Sequence, residues 1–93
     1  MTDFEVLKAR MLQDPAFKAE YDRLGPIYEL VFELVEARHR AGLTQAQLAA
    51  RMGTTRSTIA RLENARHMPS LAMARRYAAA MGQRLDFQLQ ASA

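Results

Sequence analysis

Apolar residues recur at Ile27, Leu30, Val31, Leu34 and Val35, an i, i+3, i+4, i+7, i+8 stripe that turns one face of a helix toward a core. The spacing predicts a helix over 27–41. Shorter stretches carry the same period: Leu48 and Ala49 in one, Ile59 and Leu62 in the next, Leu71, Ala74, Ala78 and Met81 in the last. Start signals precede them. Thr2 with Glu5 and Thr44 with Gln47 have the spacing of capping boxes, Asp14 stands before Pro15, and Ser70 follows Pro69. Gly25, Gly42, Gly53 and Gly82 fall where such helices stop. Helices are expected near 3–12, 15–24, 27–41, 45–52, 55–64 and 71–81. Leu43, Leu48, Met52, Ile59, Leu62, Leu71, Ala74, Ala78 and Met81 should complete the core.

The pattern changes at the end of the chain. Arg84-Leu85-Asp86-Phe87-Gln88-Leu89-Gln90 alternates polar and apolar with period two, which predicts a half-buried β-strand. A lone strand leaves its backbone groups unpaired, so the expected partner is the same strand of a second copy. Leu85, Phe87 and Leu89 would then form the dimerising face.

The stretch with the most chemistry is Thr44–Asn64, TQAQLAARMGTTRSTIARLEN. Its apolar positions fit two short helices joined by a tight turn at Gly53. Thr54, Thr55, Arg56, Ser57, Thr58 and Arg61 are left pointing outward. A helix that exposes Arg, Ser and Thr at its N-terminal end suits phosphates and base edges, which predicts a helix-turn-helix.

Charge sharpens this reading. Residues 1–36 hold eight acids against four bases, giving −4, whereas residues 37–93 hold nine arginines against Glu63 and Asp86, giving +7. Such segregation favours a polyanion-facing half and an acidic half that meets another partner. There is no cysteine, which excludes a disulfide framework and a thiolate zinc site. No apolar run suits a membrane span and no signal-peptide pattern opens the chain, so a cytoplasmic protein without a membrane partner is expected. His39 and His67 stand alone, and no Gly-rich phosphate loop or nucleophile–base arrangement occurs. Neither catalysis nor a cofactor or metal is expected.

Residues 37–82, through the blocks AGLTQAQLAARMG and TTRSTIARLEN, resemble the helix-turn-helix domain of the phage-repressor and Xre superfamily. The resemblance implies an all-α, lambda-repressor-like domain that binds a palindromic double-stranded DNA operator as a homodimer. It implies that Gln45 and Asn64 hold phosphates, that Arg56, Ser57 and Arg61 touch bases, and that Thr55 and Thr58 lie near the DNA backbone. Arg66 would be a further phosphate contact. It also implies a structural ion pair between Arg38 and Glu63, a pairing that fixes geometry more than it adds net stability. One departure is Ala65, where the family usually has Gly after Glu-Asn. An alanine held in the left-handed region there would cost about 1 kcal/mol.

Residues 1–26 add two apolar stripes, Phe4, Leu7, Met11 and Leu12, then Phe17, Tyr21 and Leu24, the second reaching toward Tyr28. Either stripe could pack on the domain's own core or meet a partner. The order of an acidic helical lead with the run DPAFKAEY, an Xre domain and a terminal strand is similar to that of HigA-like antitoxins. That resemblance implies a RelE/HigB-type mRNA-endonuclease toxin as partner, with Phe4, Leu7, Met11, Leu12, Phe17 and Tyr21 as its contacts, and autorepression of the operon. The alternative is a stand-alone phage-like regulator with no toxin. The expected architecture is therefore an N-terminal helical arm over 1–26, a DNA-binding domain over 27–82, and a C-terminal dimerising β-strand with its tail over 83–93.

Overall fold

The computed structural model describes Val6 and residues 9–23 and 25–91. Its helices are α1 (Pro15–Arg23), α2 (Gly25–Arg40), α3 (Gln45–Met52), α4 (Arg56–Glu63) and α5 (Leu71–Ala79). None of them is long and apolar enough to cross a membrane. Residues 9–11 are also helical. Phe4, Leu7, Leu24 and the Thr2–Glu5 capping box lie outside the described residues.

Local chemistry sets the helix boundaries. Asp14 Oδ1 accepts the Ala16 N–H at 2.9 Å, and Pro15 occupies the first helical position, where its missing N–H costs nothing. The second helix begins at Gly25 and takes Pro26 into its first turn, two residues earlier than the apolar stripe suggests. Thr44 caps α3 with a complete capping box, its hydroxyl accepting from Gln47 N at 3.1 Å and Gln47 Oε1 accepting from Thr44 N at 2.9 Å. Ser70 caps α5 through Met73 N at 3.1 Å.

The packed stripe of α2 serves two clusters. Leu34 joins Leu48, Ala49, Met52, Ile59, Ala74, Tyr77 and Ala78 in the main core, with Leu43, Leu62, Met81 and Leu85 packed against it. Tyr28, Val31 and Val35 form a second cluster with Ala65. Phe17 and Tyr21 of α1 close over this second cluster: Tyr21 stacks on Tyr28 with centroids 5.8 Å apart, Phe17 lies 5.6 Å from Tyr28, and Phe32 completes the group. Four aromatic rings in mutual contact fix α1 on α2, each such pair adding about 0.5–1.5 kcal/mol beyond its buried area.

Two expectations are corrected. Leu71 does not enter the core; it is 49% exposed at the first position of α5, and the packed stripe of that helix begins at Met73 and Ala74. Tyr77, absent from the expected core, is its largest fully buried side chain. The C-terminal β-strand does not form either. Residues 83–91 contain no strand, and no strand occurs among the described residues with which they could pair. A strand is a ladder of hydrogen bonds with a neighbour, and alternation alone supplies none. Leu85 packs on the main core, but the face it begins is not continued: Phe87 is 51% exposed with the Arg75 guanidinium 5.8 Å from its ring centroid, and Leu89 is fully exposed.

Candidate nucleic-acid interface

Between α3 and α4 the chain turns within three residues. Gly53 adopts φ +67° and its N–H reaches the carbonyls of Ala49 and Ala50, while Thr54 N donates to Ala49 O at 2.9 Å. This closes α3 with a left-handed glycine, which L side chains adopt only under strain. Thr55 then caps α4, its hydroxyl accepting from Thr58 N at 3.2 Å and lying 3.0 Å from the Thr58 hydroxyl. Both threonines are thereby held at the N-terminal end of the helix, where unpaired N–H groups and the helix dipole favour an anion.

Ile59 is fully buried beneath α4, while Arg56, Ser57, Arg61 and Asn64 are exposed. Thr54 and Thr58 are half-buried at its entry. The arginines divide sharply. Arg38 and Arg40 pair with Glu63 and Glu36, both at 2.8 Å, and Arg84 pairs with Asp86 at 2.9 Å. Arg51 donates to Ala80 O at 3.2 Å, Arg76 to Met52 O at 2.7 Å, and Arg75 rests against Phe87. Arg56, Arg61 and Arg66 have guanidinium groups with no such partner among the described residues. Of the nine arginines in residues 37–93, the three that are uncommitted are thus all on α4 or in the turn that follows it.

Residues 37–85 contain a single acid, Glu63, and its side chain is only 8% exposed. The outward charge of this segment is therefore positive throughout. Arg38 meets Glu63 as a fork, Nε to Oε2 at 2.8 Å and Nη2 to Oε1 at 2.9 Å, with Nη1 donating to Leu43 O at 2.8 Å. Tyr77 OH donates to Oε2 at 2.7 Å and Gln45 Nε2 to Oε1 at 3.0 Å. Burial alone would lower the Arg38 pKa, but the hydrogen bonds and charge of Glu63 hold it above the ordinary value. Burial pushes the Tyr77 phenol far above the usual tyrosine range, and Glu63 adds to the shift.

Neither Tyr77 nor the Gln45–Glu63 bond was visible as part of this site in the sequence. Tyr77 reads as one more apolar helix position, and the available signal was only that its hydroxyl, if buried, needs a partner. The recognition turn ends with Asn64 Oδ1 accepting from Arg66 N at 3.1 Å and with Ala65 at φ +59°, 3% exposed. Ala65 thus keeps the left-handed conformation usual for glycine, at a cost that its burial against Tyr28, Val31 and Val35 helps to offset.

A family profile described as helix-turn-helix matches residues 34–88. The chain is similar to an uncharacterized HTH-type transcriptional regulator of Methanothermobacter thermautotrophicus, 53% identical over 47 residues that make up 50% of this chain and 68% of that protein. It is also similar to antitoxin HigA1 of Mycobacterium tuberculosis, 32% identical over 77 residues, 83% of this chain and 52% of that protein. The chain therefore spans about half the length of HigA1. No solved structure matches it.

Proposed function

The chain belongs to the Xre-type helix-turn-helix family of DNA-binding transcriptional regulators, and we propose that it is an operator-binding repressor that works as a homodimer and as an antitoxin in the cytoplasm. The observation that carries the DNA reading is the segregation of uncommitted arginines. In this reading α4 enters the major groove, Arg56, Ser57 and Arg61 reach base edges, and Thr54, Thr55, Thr58, Gln45, Asn64 and Arg66 hold the flanking phosphates. Two copies on a palindromic operator would place their recognition helices about 34–36 Å apart. Phe87 and Leu89 are the exposed apolar residues that the dimer contact would use, whereas Leu85 is committed to its own core.

The antitoxin role rests on the reach of the HigA1 likeness. Residues 34–88 number 55 and only five follow them, so at least 17 of the 77 aligned residues lie ahead of residue 34. The likeness therefore extends into the acidic lead. Phe17 and Tyr21 are engaged with Tyr28 and Phe32, so the toxin contact would be the rim around them: exposed Glu20, Asp22, Glu29 and Glu33, with half-buried Met11 and Leu12 at its edge. Phe4 and Leu7, the other expected toxin contacts, lie outside the described residues. On α1 the charges balance, Lys18 pairing with Asp22 and Arg23 with Glu20. The acidity of this rim therefore comes from Glu29 and Glu33, and it complements a basic nuclease of the RelE/HigB type. The same packing of Phe17 and Tyr21 supports a second reading, a stand-alone regulator in which α1 only caps the domain.

One experiment separates the two. The full chain and the product of the adjacent reading frame are co-expressed, once as they stand and once with Glu29→Lys and Glu33→Lys in the chain. A complex that copurifies and is lost in the double variant, with operator binding kept, supports the antitoxin. Absence of any complex with the unaltered chain leaves the stand-alone regulator.

A further inference from the structure

The Glu63 carboxylate accepts four hydrogen bonds, two at each oxygen, which fills its acceptor sites. Three donors come from groups buried with it or beside it: the Arg38 fork supplies two, and the Tyr77 phenol the third. Tyr77 is 0% exposed, and Glu63 is the partner of its hydroxyl. The fourth donor is different. Gln45 is half-buried at the first position of α3, and its amide has a second N–H that Glu63 does not use.

Arg38 alone defines the carboxylate plane, because a fork gripping both oxygens still allows the pair to rock together. The 2.7 Å bond from Tyr77 to Oε2 adds a third point of attachment and removes that freedom. With Oε2 held by two donors, the open lone pair of Oε1 is fixed in the direction of α3, and there Gln45 is caught at 3.0 Å. We infer that Tyr77 is a positioning residue for DNA binding: through Glu63 it fixes the Gln45 amide so that its free N–H is presented to a DNA phosphate. The inference rests on the reading of Gln45 as a phosphate contact.

The consequence has an unusual signature. Gln45 is neutral, so its bond to a phosphate releases no counterion, and losing it leaves the salt dependence of binding unchanged. Tyr77→Phe in the full chain should weaken binding to a random-sequence duplex roughly three- to tenfold at every salt concentration, the worth of one imperfectly aimed hydrogen bond to a charged group. Gln45→Ala should do the same, and the double variant should be no weaker than Gln45→Ala alone. A merely structural role for Tyr77 would shift α4, draw Arg66 off its phosphate and flatten the salt slope. A flattened slope in Tyr77→Phe, or losses that multiply in the double variant, overturns the inference.

A second measurement needs no substitution at Tyr77. In the unaltered protein the two side-chain amide protons of Gln45 should resonate far apart, and duplex should move the one that Glu63 does not hold. Coincident signals, or no movement on adding duplex, also overturn it. Should Arg56→Ala, Arg61→Ala and Arg66→Ala all leave duplex affinity and salt slope untouched, the DNA face has been misplaced, and that failure is distinct from this one.

Discussion

Replacing Glu63 by Gln keeps the side chain's shape and removes its charge, which makes it the cleanest probe of the buried network. The amide oxygen can serve at most two of the four donors that now converge on the carboxylate. The amide N–H groups would face the remaining donors. Arg38, 7% exposed, would keep a full positive charge with no counterion. Because both partners are more than nine-tenths buried, solvent does little to soften the loss, and breaking such a pair from one side costs about 3–5 kcal/mol. Set against a total stability of about 5–15 kcal/mol for a domain, the variant should lose about a fifth of its reserve or more. Arg38→Met should cost a similar amount, since it strips Glu63 of two donors and Leu43 O of its one. Combining Arg38→Met with Glu63→Leu removes both charges together. Gln45, half-buried, can then turn to water, and the main remaining penalty is the orphaned Tyr77 hydroxyl, about 1–3 kcal/mol. The double variant should therefore be more stable than either single one. Urea unfolding followed by circular dichroism gives all three free energies. A loss below 1 kcal/mol for Glu63→Gln, or a double variant whose loss equals the sum of the singles, would refute the claim that one carboxylate organises this core.

Three further outcomes follow from particular residues. Ala65→Gly relieves about 1–2 kcal/mol of left-handed strain but gives up a buried methyl worth about 0.8 kcal/mol and about 0.5–1 kcal/mol of unfolded-state entropy, so the melting temperature should move by no more than a few degrees; a large shift either way contradicts the φ of +59° or the burial. The raised Tyr77 pKa means that above pH ~10 the unfolded chain releases this proton and the folded chain does not, so stability is full below that pH and falls by about 1.4 kcal/mol per unit above it. Tyr77→Phe should remove that share of the alkaline slope, Tyr28, raised in the same direction, keeping its own; identical pH–melting curves for the two proteins contradict it. Phe87→Asp should leave helical content intact, since Phe87 is half-exposed, yet shift sedimentation toward monomer and weaken operator binding; a variant that still sediments as a tight dimer moves the contact elsewhere.

The helical part of this fold was legible because each helix carries its own signals. Thr44, Gln47, Gly53 and Ser70 act through bonds to residues three or four positions away, so their spacing nearly fixes the outcome. The stripe of α2 was legible for the same reason. Failures came where the deciding contact lies far along the chain or in another molecule. Tyr77 and Gln45 meet at Glu63 across separations of 14 and 18 residues, and nothing in the local pattern marks either as a partner. The alternation of Arg84–Gln90 was real, and the Arg84–Asp86 pair still records it by placing both side chains together. A strand, however, needs a neighbour that the described residues do not provide, so within them the pattern does not become a ladder. Phe17 and Tyr21 show the opposite lesson: the same stripe suited a partner or the domain itself, and only Tyr28 and Phe32 decide that these rings turn inward.

The division of the arginines explains how a helix of eight residues can complete a core and, in the proposed reading, still meet DNA. Ile59 and Leu62 pack inward, and Glu63 joins them only because three other elements neutralise it: α2 through Arg38, α3 through Gln45 and α5 through Tyr77. The orientation of α4 is thus fixed at its C-terminal end by buried bonds and at its N-terminal end by the Thr55 cap. No exposed residue of the helix is needed to hold it. Arg56, Ser57 and Arg61 remain uncommitted, on a backbone already set in place before DNA arrives. Binding then has to order side chains alone, about 0.5–1.5 kcal/mol for each long one, with no further cost of arranging the helix. The buried charge adds little net stability; its contribution is a helix held entirely from its inner face, so that on the proposed reading the outer face is left to the DNA.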